Sequence, residues 1–356
     1  MPNPYDEKSY PDAVFASMGM FIIDEIHFPN KPSQYNVIGG GGTFSILGSR
    51  MVLTKQNSLR AGWILDIGND FPQQMLGVLQ SWNTGVIMRY NSQRQCSRGW
   101  NMYGDNDLRS FKYLTPKLRI DVPDIIKHSN LLHSKSYHLL CSPERCTEIL
   151  GKLRPLRPEE PVIVWEPIPD DCNPQTLPRC LNILKEVDIL SPNAQEAAAF
   201  FGLEEPTDHL SIETIADRFL PYMTKNKNAG VVLRCGALGC FAVSRSGFRE
   251  WFPAYHSDAA ANDYKVIDPT GGGNTFIGAL ATAYVLSQGD WKVSCVAANI
   301  ASGAAIEQIG MPELEDDTWN GTSFPDRVRV YLDRHPELSA GADQILDKLG
   351  TQGLQN

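Results

Sequence analysis

The sequence predicts an α/β fold in three layers: helices on both faces of a mainly parallel sheet, with a small β-lid beside it. Three observations carry that expectation. Short β-type runs at 139–141, 162–165, 188–190 and 231–235 alternate with helical stretches. Strands separated by helices read as a parallel sheet covered on both sides, because a crossover is needed to pair again in the same direction. Two glycine runs, at 39–42 and 271–273, each stand directly before a helical stretch. Two irregular patches, about 28–37 and 83–117, interrupt the alternation with short polar strands and turns, as an inserted lid would. The 356 residues suffice for one large α/β domain, expected over 13–333, with tails at 1–12 and 334–356.

Each element has its own signal. Residues 1–12 are polar with three prolines and read as a frayed arm. The stretch 13–26 is strand-like, with Phe21, Ile22 and Ile23 leading into Asp24. Proline, asparagine and serine make 29–36 a loop or short edge strand. The first glycine run opens a helix over 43–54; 61–67 is a buried strand and 71–79 a helix. After the strand at 139–141 a helix runs to Leu153, followed by strand 162–165, a helix near 177–185, strand 188–190 and a helix from Asn193. A helix near 212–222 precedes strands at 231–235 and 240–244. Val266 and Ile267 form a short β-type run before the second glycine run, and a helix follows over 275–286. Helices near 293–308 and 327–332 lead into a weakly ordered tail.

Bulk properties exclude several functions. Hydrophobic content of 42% and charged content of 21% are those of a globular protein. A net charge of −9 with no dense Lys/Arg run argues against a nucleic-acid grip, which needs a basic face. The apolar stretch 276–286 is too short to span a bilayer. None of the eight cysteines forms a Cys-x-x-Cys pair, and the first eleven residues do not resemble a secretory leader. Reduced thiols in the cytosol or nucleus are expected.

The most informative passage runs from Val266 through Asp268, Pro269, Thr270, Gly271, Gly272, Gly273 and Asn274 into the helix. Glycines remove the Cβ atoms that keep backbone N–H groups from converging. The following helix aims its positive dipole end at the same point, which suits a phosphate or a phosphoryl group in transfer. Asp268, Thr270, the three glycines and Asn274 are therefore candidate site residues. It is not a Walker A loop, nor does it fit Gly-x-Gly-x-x-Gly, because Phe276 stands where the third glycine belongs.

Other residues join it as candidates. Asp24, five residues after Gly19, can accept hydrogen bonds from substrate hydroxyls, and Gly40 and Gly41 allow close approach to the backbone. Asn101 and Arg109, in the irregular patch, can hydrogen-bond a polyol or phosphate; a solvated edge strand is the alternative. Asn193 and Glu196 fit an N-cap and its capping-box partner at a strand-to-helix junction. Gly236 and Gly239 end a strand, and Asn299 lies in a small-residue helix. Glu166, before Pro167, reads as a strand-end charge or a supporting group. His128, His133 and His138 recur every five residues, roughly 500° of helical rotation, so they share no face to hold a metal.

Taken in order, these motifs resemble the signatures of the PfkB/ribokinase family of small-molecule kinases over about 13–312. Asp268, Thr270, Gly271 and Gly273 match its Asp-Thr-x-Gly-Ala-Gly-Asp signature, and Asn274 replaces the final aspartate, the family's catalytic base. The chain looks most like the fungal maintenance-of-killer branch, which also carries Gly-Gly-Gly-Asn. The resemblance implies a ribokinase-like sandwich with ATP and Mg²⁺, and allows a monovalent cation. It implies that Asp24, Gly40, Gly41, Asn101 and Arg109 hold the acceptor. Asn193, Gly236, Gly239, Thr270 and Asn299 would border the nucleotide, and Glu196 would organise the metal. Arg234 occupies the family's Thr position before Gly236, and Phe44 or Ser45 stands where the first signature has Asn. The implied activity is ATP-dependent phosphorylation of a hydroxyl on a sugar, nucleoside or similar molecule, slowed by Asn274. The alternatives are a pseudokinase acting through a protein partner and, more remotely, an unrelated dinucleotide enzyme. A homodimer through the lid is left open.

Overall fold

The computed structural model describes residues 10–104, 109–258, 260 and 264–350. The strands in chain order are β1 (Phe15–Ser17), β2 (Ile22–His27), β3 (Gln34–Gly39), β4 (Ala61–Ile67), β5 (Gly85–Tyr90), β6 (Arg98–Tyr103) and β7 (Arg109–Tyr113). They continue with β8 (Ser136–Leu140), β9 (Val162–Glu166), β10 (Ile189–Leu190), β11 (Gly230–Arg234), β12 (Cys240–Ser244) and β13 (Arg249–Phe252). Nine of them form the central sheet in the order β13-β12-β11-β10-β9-β8-β1-β4-β5. Pairing is parallel from β11 to β5, and β12 and β13 are antiparallel.

Side-chain alternation makes the sheet the middle of three layers. Along β4, Trp63 and Leu65 enter one core and Ile64 the other; along β11, Val232 opposes Val231 and Leu233. The first core is closed by α1 (Gly41–Asn57), α2 (Gln73–Ser81) and four helices from the end of the chain. The second is closed by α3 (Val122–Ile125), α4 (Ser129–Leu132), α5 (Pro143–Leu153), α6 (Leu177–Ile183), α7 (Ala194–Ala199) and α8 (His209–Phe219). The late helices are α9 (Gly272–Leu286), α10 (Trp291–Ala305), α11 (Phe324–Arg334) and α12 (Ala342–Gly350).

Chain order sets where a ligand can sit. The chain leaves β1 for β4 and β5, then returns to β8 on the other side of β1 and continues to β11. Winding reverses at β1, so a crevice opens at the carboxyl ends of β1 and β8. A second sheet, β3-β2-β6-β7, lies beside that crevice as a lid.

Several expectations need correction. The apolar run 13–26 is two strands in two sheets, because the chain turns at Met18, Gly19 and Met20. Asp24 is therefore inside lid strand β2, not at the carboxyl end of a central strand. The patch 83–117 is only partly lid: β5 pairs in parallel with β4 at the sheet edge. Val266 and Ile267 form no strand; Ile267 is 59% exposed, and its N–H bonds the Ile306 carbonyl instead of a neighbouring strand. The described part of the expected tail, 334–350, is not loose, since α12 buries Ile345 and Leu349 in the first core. Strand β13 and the three-stranded sheet β14 (Leu314–Glu315), β15 (Thr318–Trp319) and β16 (Thr322–Ser323) have no counterpart in the sequence reading. Residues 1–9 of the expected arm, 105–108 of the expected lid and 351–356 of the tail lie outside the described residues.

Candidate active site

Two glycine turns meet at the crevice. Gly40 caps α1 with φ +94° and Gly271 caps α9 with φ +81°, a backbone region that disfavours any side chain. Helices α1 and α9 then cross in backbone contact. A methyl on Gly48 would overlap the Thr275 carbonyl, and one on Gly278 the Ser45 carbonyl. Thr282 Oγ1 donates to Ser49 Oγ at 2.8 Å across the same seam. This crossing places the first turns of both helices side by side. A Cβ on Gly41 would lie 2.7 Å from Asn274 Oδ1 and 2.6 Å from Leu140 Cδ2. Asn274 thus stands where α1, α9 and the end of β8 converge. Its Oδ1 is buried and accepts no hydrogen bond among the described residues.

A cavity of about 340 Å³ lies on one side of this point. Asn193, Gly236, Gly239, Gly272, Gly273 and Asn299 all line it, so the structure gathers six sequence-predicted residues around one space. Gly236 and Gly239 have φ +55° and +87°, which makes the turn after β11 tight enough to border it. Asn299 Nδ2 donates to the Cys295 carbonyl of its own helix at 2.9 Å. Tyr255, His256, Tyr264 and Phe276 supply apolar wall.

On the other side a cleft of about 390 Å³ opens at the ends of β1 and β8, lined by Gly19, Gly41 and Leu140 and by lid residue Tyr113. Gly41 is the one predicted acceptor residue on it. Asp24 and Asn101 instead line a small space of about 10 Å³ with Asp268, Thr270, Tyr103 and Phe44. Asp24 is wedged there between Gly39 and Gly99; a Cβ on Gly99 would come within 2.5 Å of Asp24 Oδ1. The predicted acceptor residues therefore do not share one space, because Asp24 and Asn101 belong to lid strands β2 and β6 while Gly41 opens α1. The Phe44 ring lies on Gly271, leaving no room for a side chain at that glycine. Gly40 packs on the Met20 carbonyl. Arg109 pairs with Tyr103 through the backbone of the β6–β7 hairpin.

Tyr103 was missed by sequence reasoning. Its hydroxyl donates to Asp268 Oδ1 and Oδ2 at 3.2 and 3.1 Å and contacts Thr270 Oγ1, tying the lid to the base of the glycine turn. Nothing in the sequence distance of 165 residues signals that pairing.

A buried ionic chain runs beside the glycine turn. His138 Nε2 lies 2.9 Å from Glu166 Oε2, and Arg234 Nη2 lies 2.7 Å from Glu166 Oε1 and 3.5 Å from Glu196 Oε2. Burial pushes the Glu166 carboxyl up, but the Arg234 charge and His138 hydrogen bond outweigh it and hold Glu166 below the usual carboxylate range. Glu196 goes the other way: burial and the neighbouring Glu166 raise it more than Arg234 lowers it. Asn193 and Glu196 form the expected capping box, Asn193 Oδ1 accepting from Glu196 N at 2.7 Å and Glu196 Oε2 from Asn193 N at 2.8 Å. The Arg234 guanidinium presses on Gly273, whose Cα could carry no side chain beside it.

These contacts test whether the protein could hold a divalent cation at Glu196. No group of three or more His, Cys, Asp or Glu side chains among the described residues is arranged to bind a metal. The two carboxylates near the glycine turn already share a guanidinium. The donor set does not fit a protein-held divalent ion.

Comparisons with known proteins agree with the architecture. The profile described as pfkB family carbohydrate kinase matches residues 49–317. Protein MAK32 of Saccharomyces cerevisiae is 40% identical over 338 residues, covering 88% of this chain and 90% of its own length. This bears out the likeness to the fungal maintenance-of-killer branch. Ribokinase from Giardia lamblia superposes with a TM-score of 0.66 at 16% identity, covering 92% of this chain and 99% of its own. Adenosine kinase from Schistosoma mansoni, solved with 2-fluoroadenosine, gives 0.66 at 17% identity over 86% and 99%. The fold is ribokinase-like. No helix among the described residues is long and apolar enough to cross a membrane.

Proposed function

Because the chain belongs to the pfkB family of carbohydrate kinases, we propose that it is a slow ATP-dependent phosphotransferase acting on a hydroxyl of a sugar, nucleoside or similar small molecule. The adenosine end of ATP occupies the cavity of about 340 Å³ beside Gly236, Gly239 and Asn299. Its terminal phosphate meets the first turn of α9 at Gly271, Gly272 and Gly273, where helix N–H groups without intrahelical partners and the dipole favour negative charge. The acceptor enters from the cleft at Gly41, with Asp24 and Asn101 in reach once the lid opens. Asp268 and Thr270 hold the turn's conformation, Asp268 Oδ1 accepting from Thr270 N at 2.9 Å. Glu166 and Glu196 share the Arg234 guanidinium and build no site for magnesium, which would come in with the phosphates and neutralise their charge.

One observation carries this reading. The Asn274 amide oxygen is buried and unpartnered among the described residues; it lies beside Gly41, which lines the cleft, and Asn274 follows Gly273, which lines the cavity. It accepts a hydrogen bond from the acceptor hydroxyl and aims that oxygen along the line of attack. The new O–P bond forms as the bond to the β-phosphate bridge breaks; ADP leaves, and the proton passes to water or to the transferred group. An amide cannot take that proton, and the loss of general-base help costs about 10²–10⁴-fold in rate. Much of phosphoryl transfer is positioning and electrostatics, so turnover survives.

Phe44 on Gly271 and the closed lid favour a second reading, a pseudokinase that binds nucleotide and acts through a partner. The test is thermal shift with ATP and ADP, then turnover of a sugar and nucleoside panel by wild type and Asn274→Asp. The kinase reading expects slow transfer by wild type and about a hundredfold gain in the variant. Binding without transfer in either protein selects the pseudokinase. We place the protein in the cytosol or nucleus, since all eight cysteines are free thiols, with a nucleotide and a small molecule as partners.

A further inference from the structure

We infer that Arg234 is a built-in cation for the terminal phosphate of the bound nucleotide, so that nucleotide binding in this chain does not depend on a divalent metal. The inference rests on the nucleotide reading of the cavity at Gly236 and Gly239. Three features point to it. Arg234 ends β11 and is held there from both sides: its N–H bonds the Pro192 carbonyl at 3.1 Å beside its parallel bridge to Asn193, and on the other side it pairs with Cys240 of β12. Its guanidinium is anchored on one edge by Glu166, itself braced by His138, and only loosely by Glu196 at 3.5 Å. The other edge is free to work. Nη1 lies against Gly273 on the cavity wall and makes no hydrogen bond among the described residues.

That arrangement is a preorganised anion partner. Glu166 orients the planar group, and the glycine leaves it touching the backbone where helix N–H groups converge. An incoming phosphate competes with Glu196 for the guanidinium, not with Glu166, because the Glu196 contact is the longer one. The same charge makes the neighbourhood unfavourable for a divalent ion, in keeping with the poor fit of its carboxylates. Arg234 acts on the phosphate by direct contact, and Glu166 and His138 are positioning residues behind it.

The experiment is calorimetric titration of the full chain with ATP, ADP and adenosine, each in EDTA and in Mg²⁺. The expected result for wild type is ATP and ADP affinity changing less than about threefold between the two conditions. Arg234→Gln combined with Glu166→Gln, which leaves no carboxylate stranded at β9, should lose at least tenfold in ADP and ATP affinity in EDTA while binding adenosine as wild type does. Arg234→Lys should recover part of that loss. Wild-type binding that requires Mg²⁺ overturns the inference without any variant, and so does a folded double variant that binds ATP in EDTA as tightly as wild type. Adenosine binding with no added affinity from the phosphates also overturns it, leaving the cavity's nucleoside role intact. Failure of all three ligands to bind overturns the nucleotide reading itself.

Discussion

Single side chains decide the chemistry, and two of them can be read in opposite directions. Asn274 is legible in the sequence as a departure from its relatives, yet only the structure shows its oxygen buried at the meeting of two helices and a strand end. Asn274→Asp adds a carboxylate in the first turn of α9, where the helix dipole favours it by about 0.3–1 kcal/mol. Its expected signature is a rate gain with the pH profile of a new base, measured by ADP release. Glu307 illustrates a structural carboxylate. Burial opposes its charge, but His256 and the two-point pairing with Arg327 hold its carboxyl down at about 2, below the ordinary 4.5. A depressed folded-state value means stability fully present above 4.5 and lost as pH falls toward about 2. Glu307→Gln should therefore destabilise strongly at neutral pH, by about 3–5 kcal/mol because Arg327 is left buried without its charge partner. The difference from wild type should shrink over that acid window in urea unfolding.

At the scale of elements, the crossing of α1 and α9 positions everything else. Both glycine runs are visible in the sequence, but Gly48 and Gly278, inside the helices, look like mere weak points in helical stretches. In the fold they are contact points where one backbone rests on another. Gly278→Ala forces a methyl into the Ser45 carbonyl and should cost about 1–3 kcal/mol or more. The check is a lowered urea midpoint with an unchanged slope; a neutral substitution would mean the helices are not in backbone contact. The apolar run 13–26 shows the opposite failure. Composition marks it as β-structure, but cannot say that Ser17 and Ile22 belong to different sheets, because that depends on which strands lie nearby.

For the whole molecule, the reversal of winding at β1 opens the crevice, and the four-stranded lid sheet stands beside it with Tyr113 on its wall. Tyr103 latches the lid to Asp268 through a hydrogen bond that a phenylalanine would remove without changing packing. A hydrogen bond to a charged group contributes about 1.5–3 kcal/mol, so Tyr103→Phe should favour the open lid. Limited proteolysis should then cut the lid strands faster, and acceptor should bind with a higher KM; unchanged cleavage would remove the latch from the account. The docking of α12 into the first core belongs to this scale too. Its Ile345 and Leu349 are spaced by four and so share a helix face, but that face has meaning only once α1 and α9 offer it a surface.

By itself the sequence determined the alternation of strands and helices, the two glycine turns and the residue types placed after them. These are local: β-type runs, positive-φ glycines and caps depend on neighbours within a few residues. Only the tertiary structure decided that Arg234 lies on Gly273, that Asp24 sits apart from Gly41, and that Tyr103 closes over Asp268. The Arg234–Gly273 and Tyr103–Asp268 pairings join residues tens and more than a hundred positions apart, and chain spacing carries no record of which strand ends a folded sheet brings together.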